Sequence, residues 1–98
     1  MEIRFADNSL QILETDASAT GGFPPGVVKA YRKRMQVIRA APDERDFYQL
    51  KSLRYEKLQG NRSHQHSMRL NDQYRLVLEY DEEPSKKVVV IRCIEDYH

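Results

Sequence analysis

The sequence predicts an α+β domain in which an N-terminal strand and two to three helices pack on a C-terminal antiparallel sheet. Three observations carry this expectation: alternating apolar residues at the N-terminus, apolar residues at helical spacing from Val27 to Ile38, and four strand-like runs after Leu53 separated by hairpin signals.

Taken in order, Ile3 and Phe5 alternate with Glu2 and Arg4, the period of a half-buried strand, and Asp7 with Asn8 then supplies a turn or helix cap. Leu10, Ile12 and Leu13 suit one or two helical turns. Residues 17–26, with Thr20, Gly21, Gly22 and the Pro24-Pro25-Gly26 run, break regular structure and read as a loop. The main helix starts near Pro25, because proline lacks only an N–H that a first helical position leaves unpaired. Val27, Tyr31, Met35 and Ile38 recur at spacings of four, four and three and face the core, with Lys29, Arg32, Lys33, Gln36 and Arg39 largely opposite. Pro42 stops this helix, and a shorter one follows with Asp43 and Glu44 in its first turn and Phe47 and Leu50 turned inward.

The strand candidates are residues 55–59, 66–70, 74–80 and 88–94. Asn71-Asp72 marks a tight hairpin, and residues 81–85, with Pro84, a longer one. The run Val88-Val89-Val90-Ile91 reads as a strand covered on both faces. Helices on one sheet face leave the other partly open. With Tyr74, Leu76 and Leu78 beneath the helices, Arg75, Val77 and Glu79 turn to the open side.

Composition narrows the class. The chain has 98 residues, enough for one domain spanning 1–98 and too few for two. It is 40% hydrophobic and 32% charged, and its mean hydropathy of -0.76 points to a highly charged surface. No apolar run approaches the roughly 20 residues of a membrane span, and the N-terminus is unlike a signal peptide. The single cysteine, Cys93, has no internal partner, sits in an apolar run and fits a small hydrophobe in a reducing cytoplasm. A net charge of +1 hides polarity along the chain, since residues 17–42 hold no acid yet carry Lys29, Arg32, Lys33, Arg34 and Arg39.

Three polar groups converge on the open face if this sheet forms: Arg69, Gln73 and Arg75 around the hairpin, residues 62–66 at the preceding turn, and Asp96-Tyr97-His98 at the chain end. RNA suits such a set, because the 2′-hydroxyl beside each phosphate is an internal nucleophile and the protein need only move protons and stabilise charge. Guanidinium groups such as Arg69 and Arg75 bind phosphate oxygens bidentately, and a histidine, carboxylate or tyrosine transfers protons. Blander readings stand beside this one. Arg75 suits an ion pair with Glu79 or Asp96, Tyr97 a core aromatic, and Asp96-Tyr97-His98 a solvated tail. His64 and His66, on alternate strand positions, would with Asp96 and His98 suggest a metal site, but no cysteine pair or H-E-x-x-H spacing accompanies them, so no metal or cofactor is expected.

The segment from Leu58 to Leu76, LQGNRSHQHSMRLNDQYRL, resembles the pattern L-x-G-[DN]-R-x-x-Q-[HYW]-S-[IM]-R-[ILV]-N-[DG]-Q-[WY]-R of HigB toxins in the RelE/ParE superfamily, and the chain ends Asp96-Tyr97-His98 as those toxins do. The likeness is strong over residues 53–80 and the last three residues, while the N-terminal half agrees only in its helical, basic character.

The resemblance implies a RelE-like fold and a toxin that enters the ribosomal decoding site, cuts mRNA there and is silenced by a helix-turn-helix, HigA-like antitoxin, through which the complex binds operator DNA. It implies catalytic roles for Arg75, Asp96, Tyr97 and His98, and RNA contacts at Arg62, Arg69, Asn71 and Gln73. Lys29, Arg32 and Lys33 join the RNA-binding candidates through the charge of their helix. Some relatives carry a histidine before the L-x-G turn; Glu56 stands at or near that position and is the further acid–base candidate. The alternative function is that of a ParE-like toxin, which binds DNA gyrase and cuts nothing. A passive nucleic-acid-binding module is a third, disfavoured by the balanced charge and the lack of an aromatic stacking platform.

Overall fold

A computed structural model describes residues 1–83 and 86–96. Strand β1 (Glu2–Phe5) is followed by helices α1 (Asn8–Thr15), α2 (Pro25–Ala40) and α3 (Arg45–Gln49), then by β2 (Glu56–Lys57), β3 (Gln65–Arg69), β4 (Tyr74–Glu83) and β5 (Lys86–Asp96). Short 3-10 turns at Lys51–Leu53 and Gly60–Arg62 flank β2. The strands form one sheet in the order β1-β5-β4-β3-β2. Its C-terminal strands pair antiparallel, whereas β1 joins β5 in parallel, so the sheet is mixed rather than purely antiparallel.

The helices lie on one face. Val27, Tyr31, Met35 and Ile38 are each 0% exposed, as the spacing of α2 requires, and they share a core with Leu10 and Leu13 of α1 and with Met68, Leu76, Leu78, Val89 and Ile91 of the sheet. Asp7 caps α1 by accepting from the Ser9 amide at 2.9 Å, and the buried Tyr31 hydroxyl donates to the Leu10 carbonyl at 2.7 Å, tying the two helices together. Ile12 turns outward, at 45% exposed.

Three expectations change. Leu50 is 45% exposed, because α3 ends at Gln49 and only Phe47 of the expected pair reaches the core. The strand expected at 55–59 shrinks to two residues, since Arg54 before it has left-handed backbone and a 3-10 turn follows it. Strand β5 is longer than expected and carries a bulge: Val77 pairs with Cys93 but Leu78 pairs with Ile91, which leaves Arg92 as the extra residue. Of the longer hairpin expected at residues 81–85, residues 81–83 belong to β4, and Pro84 and Ser85 lie outside the described residues.

Cross-strand register then defines the open face in rows. Arg69, Arg75 and Glu95 form one row, Glu56, Ser67, Val77 and Cys93 the next, and Gln65, Glu79 and Val90 a third. Val77 is 0% exposed despite facing away from the helices, roofed by the long polar side chains around it. Val88, also buried on this side, lies between Glu2 and Asp81, which Arg4 bridges.

Candidate active site

The Arg69–Arg75–Glu95 row brings opposite charges side by side at the end of the sheet. Arg75 donates from Nε and Nη2 to the same Glu95 oxygen, at 2.9 and 2.6 Å. Arg62, on the turn before β3, approaches both Glu95 oxygens, at 3.1 and 3.0 Å. Burial by itself would raise the Glu95 pKa, but the hydrogen bonds and charges of Arg62 and Arg75 prevail and hold the carboxyl below its usual range. Among the described residues Arg75 makes its ion pair with Glu95, where the sequence suggested Glu79 or Asp96. Glu79 instead accepts from Gln65 at 2.7 Å and lies 3.6 Å from His64 and 3.5 Å from Arg92. Arg62 Nε closes the network by donating to the Gln65 side-chain oxygen at 2.8 Å.

Two clefts open on this face. One, of about 180 Å³, is lined by Arg54, Glu56, Ser67, Arg69 and Arg75. The other, of about 300 Å³, is lined by Glu56, Lys57, Leu58, Gln59, Arg62 and Arg75. Glu56 and Arg75 belong to both, so the clefts make one trough with this carboxylate and this guanidinium at its middle. The Glu56 side chain makes no hydrogen bond or ion pair among the described residues.

The structure therefore collects Glu56, Arg62, Arg69 and Arg75. It gives other candidates different surroundings. Asn71 shapes the hairpin, its side-chain oxygen accepting from the amides of Gln73 and Tyr74 at 2.9 and 2.7 Å. Gln73 donates to Asp96 at 2.8 Å, which ties the hairpin tip to the end of β5, and Arg69 pairs with Asp72 across the same turn. Tyr97 and His98 lie outside the described residues.

Lys29 and Lys33 are exposed on the outer side of α2, with the sheet between them and the trough. Arg32 points elsewhere: its guanidinium donates to the carbonyls of Leu13, Asp16 and Ala19 at 3.0, 2.8 and 3.2 Å, closing the C-terminal end of α1. His66 faces the helix side of the sheet, stacked on Tyr55 with ring centroids 5.1 Å apart, while His64 is at Glu79, so the two histidines do not converge. Burial lowers the His66 pKa, and its Nδ1 is enclosed with no hydrogen-bond partner among the described residues. No group of three His, Cys, Asp or Glu side chains suited to a metal occurs among the described residues.

Sequence reasoning missed Glu95, which holds Arg75 and Arg62, and Arg54, which lines the trough. Glu95 was not legible, since its place opposite Arg75 depends on the pairing of β4 with β5 and on the bulge at Arg92. Arg54 carried no signal, because its place depends on a left-handed backbone that arginine rarely adopts.

An N-terminal strand, three helices on one face and a five-stranded mixed sheet match a RelE- and YoeB-like α+β toxin fold. A solved structure described as a YoeB/ParE toxin from Agrobacterium tumefaciens matches with a TM-score of 0.57 at 15% identity, over 100% of both chains, a likeness of fold alone. Residues 3–98 match the family model for the RelE-like toxin of the type II toxin-antitoxin system HigB, and the chain belongs to this HigB-like toxin family. No curated protein matches it. A type II toxin works against an antitoxin, so a partner of that kind follows from the family. No helix among the described residues is long and apolar enough to cross a membrane.

Proposed function

We propose that this toxin is a ribosome-dependent endoribonuclease that cuts mRNA in the decoding site, without a metal, and thereby stops translation in the cytoplasm. The observation that carries the reading is the trough, where the unpaired Glu56 carboxylate stands with Arg69 and Arg75. A phosphodiester seated there has donors on its non-bridging oxygens and a base within the same cleft.

In this reading Glu56 takes the proton of the 2′-hydroxyl, whose oxygen attacks the adjacent phosphorus. The bond to the 5′-oxygen breaks as that oxygen gains a proton, which leaves a 2′,3′-cyclic phosphate and a 5′-hydroxyl. Arg75 and Arg69 stabilise the extra negative charge of the crowded transition state. His98 is the acid by its chemistry, because an imidazole titrates near neutrality, with Asp96 orienting it and Tyr97 stacking on a base. Arg62, Asn71 and Gln73 hold the walls of the trough and the hairpin in place, and Lys29 and Lys33 meet ribosomal RNA from the opposite layer. A HigA-like, helix-turn-helix antitoxin silences the toxin and carries the complex to operator DNA.

Mapping RNA 5′ ends after a short pulse of expression tests this. New 5′-hydroxyl ends inside translated frames are expected. Unchanged mRNA together with gyrase-dependent DNA breaks would instead establish the ParE-like activity.

A further inference from the structure

Arg54 is the described non-glycine residue with positive φ, at φ 46 and ψ 48. It closes the 3-10 turn, its amide donating to the Lys51 carbonyl at 3.1 Å, and is pinned between Leu53 and Tyr55, which are 2% and 7% exposed. Glycine would take this backbone at less cost, since a side chain there costs about 1 kcal/mol. Yet the side chain is an exposed guanidinium that lines the trough beside Glu56, Ser67, Arg69 and Arg75 and makes no hydrogen bond or ion pair among the described residues. The two clefts meet at Glu56 and Arg75, with Arg54 at one end and Arg62 at the other. Arg62 is already held by Glu95 and Gln65, whereas the Arg54 guanidinium has no partner among the described residues.

We propose that Arg54 binds a second backbone phosphate, next to the one seated between Glu56 and Arg75, so that the trough takes single-stranded RNA across at least two consecutive phosphodiesters. This rests on the nuclease reading for the identity of the strand and deepens it. The left-handed backbone aims the guanidinium along the trough. Arg69, which pairs with Asp72 across the hairpin, stays with the phosphate at Arg75. A merely structural residue at this position would be improved by glycine in every respect, which makes the two roles separable by one substitution.

The test compares wild type, Arg54→Gly and Arg54→Asn, both replacements being residues that accept left-handed backbone. The probes are 2′-O-methyl oligoribonucleotides, which the enzyme cannot cut: a dinucleotide with one phosphate and a trinucleotide with two. Binding is followed through the arginine Nε–Hε NMR signals over a range of salt, and thermal unfolding is measured alongside. Both variants are expected to unfold no earlier than wild type, to bind the dinucleotide as wild type does, and to bind the trinucleotide about tenfold more weakly. The salt slope for the trinucleotide should fall by about 0.7, the value of one phosphate contact on a single strand.

Equal trinucleotide binding by wild type and variants overturns the proposal, as does equal weakening for both probes, no trinucleotide binding by wild type, or variants that unfold early. The nuclease reading fails separately: wild type that binds the trinucleotide through Arg54 but cuts no mRNA on programmed ribosomes keeps the phosphate site and removes the enzyme.

Discussion

Glu95 touches Arg75 and Arg62 at once, so the guanidinium best placed for a phosphate is oriented, and partly neutralised, before substrate arrives. The pairing sets a pH dependence. The carboxyl is held below its ordinary value of 4.5, so its contribution to stability is present above that value and is lost as pH falls through the lower, folded one. Glu95→Gln should therefore cost about 1 kcal/mol near neutrality, with the gap to wild type closing in acid, as urea unfolding across pH would show. A gap that stays constant into acid would mean that the charge of Glu95 is not what holds the pair. For Arg75→Ala the expectation is a folded protein whose cleavage on programmed ribosomes drops by about 10² to 10³, the cost of one transition-state donor. Undiminished cleavage by that folded variant would remove Arg75 from the site.

Helix α2 carries basic residues that do different work according to where the helix packs. Arg32 closes the end of α1 through three carbonyls, whereas Lys29 and Lys33 stand in solvent. Arg32→Ala should lower stability by about 1–3 kcal/mol, read by denaturant unfolding, through loss of charge-assisted hydrogen bonds. Lys29→Glu with Lys33→Glu should leave unfolding within about 0.5 kcal/mol of wild type yet weaken ribosome co-sedimentation and its salt dependence. Co-sedimentation that ignores the double reversal at every salt concentration would leave those lysines to the antitoxin or to solvent. Helix α3, only five residues long, is anchored by its surroundings: Glu44 before it accepts from Tyr55 at 3.1 Å and pairs with Lys87, and the Tyr55 and Tyr80 hydroxyls share a hydrogen bond of 2.6 Å. Burial raises the pKa of both tyrosines, so they remain protonated donors.

The molecule as a whole divides its labour between two faces. The helical face supplies the buried core, and the opposite face, free of helices, supplies the trough. Among the described residues the core runs from Leu10 to Ile91, with Ile3 and Ile94 packed against it, and Asp96 at the end of β5 is exposed. Deleting residues 96–98 should for that reason leave circular dichroism and antitoxin capture unchanged while abolishing cleavage on programmed ribosomes. Full cleavage by the folded truncation would take Asp96, Tyr97 and His98 out of the mechanism and leave the proton transfers to Glu56 and its neighbours.

What the sequence determined by itself is whatever depends on local period and local turn chemistry. The spacing of Val27, Tyr31, Met35 and Ile38 specified the buried side of α2, and Asn71, through its hydrogen bonds to the Gln73 and Tyr74 amides, specified the hairpin that lifts Arg75 onto the open face. The HigB-like pattern from Leu58 to Leu76 carried the family. Only the tertiary structure decided the partners and the paths that cross between elements. The parallel pairing of β1 with β5 joins residues more than 80 positions apart, as in Glu2 with Val88, and no local period encodes such a contact. The bulge at Arg92 resets parity, Glu95 meets Arg75 across the strands, and Arg32 turns from the solvent to the end of α1. Arg54 joins the trough through a left-handed backbone imposed by the burial of Leu53 and Tyr55 on either side, a demand of packing that residue identity does not announce.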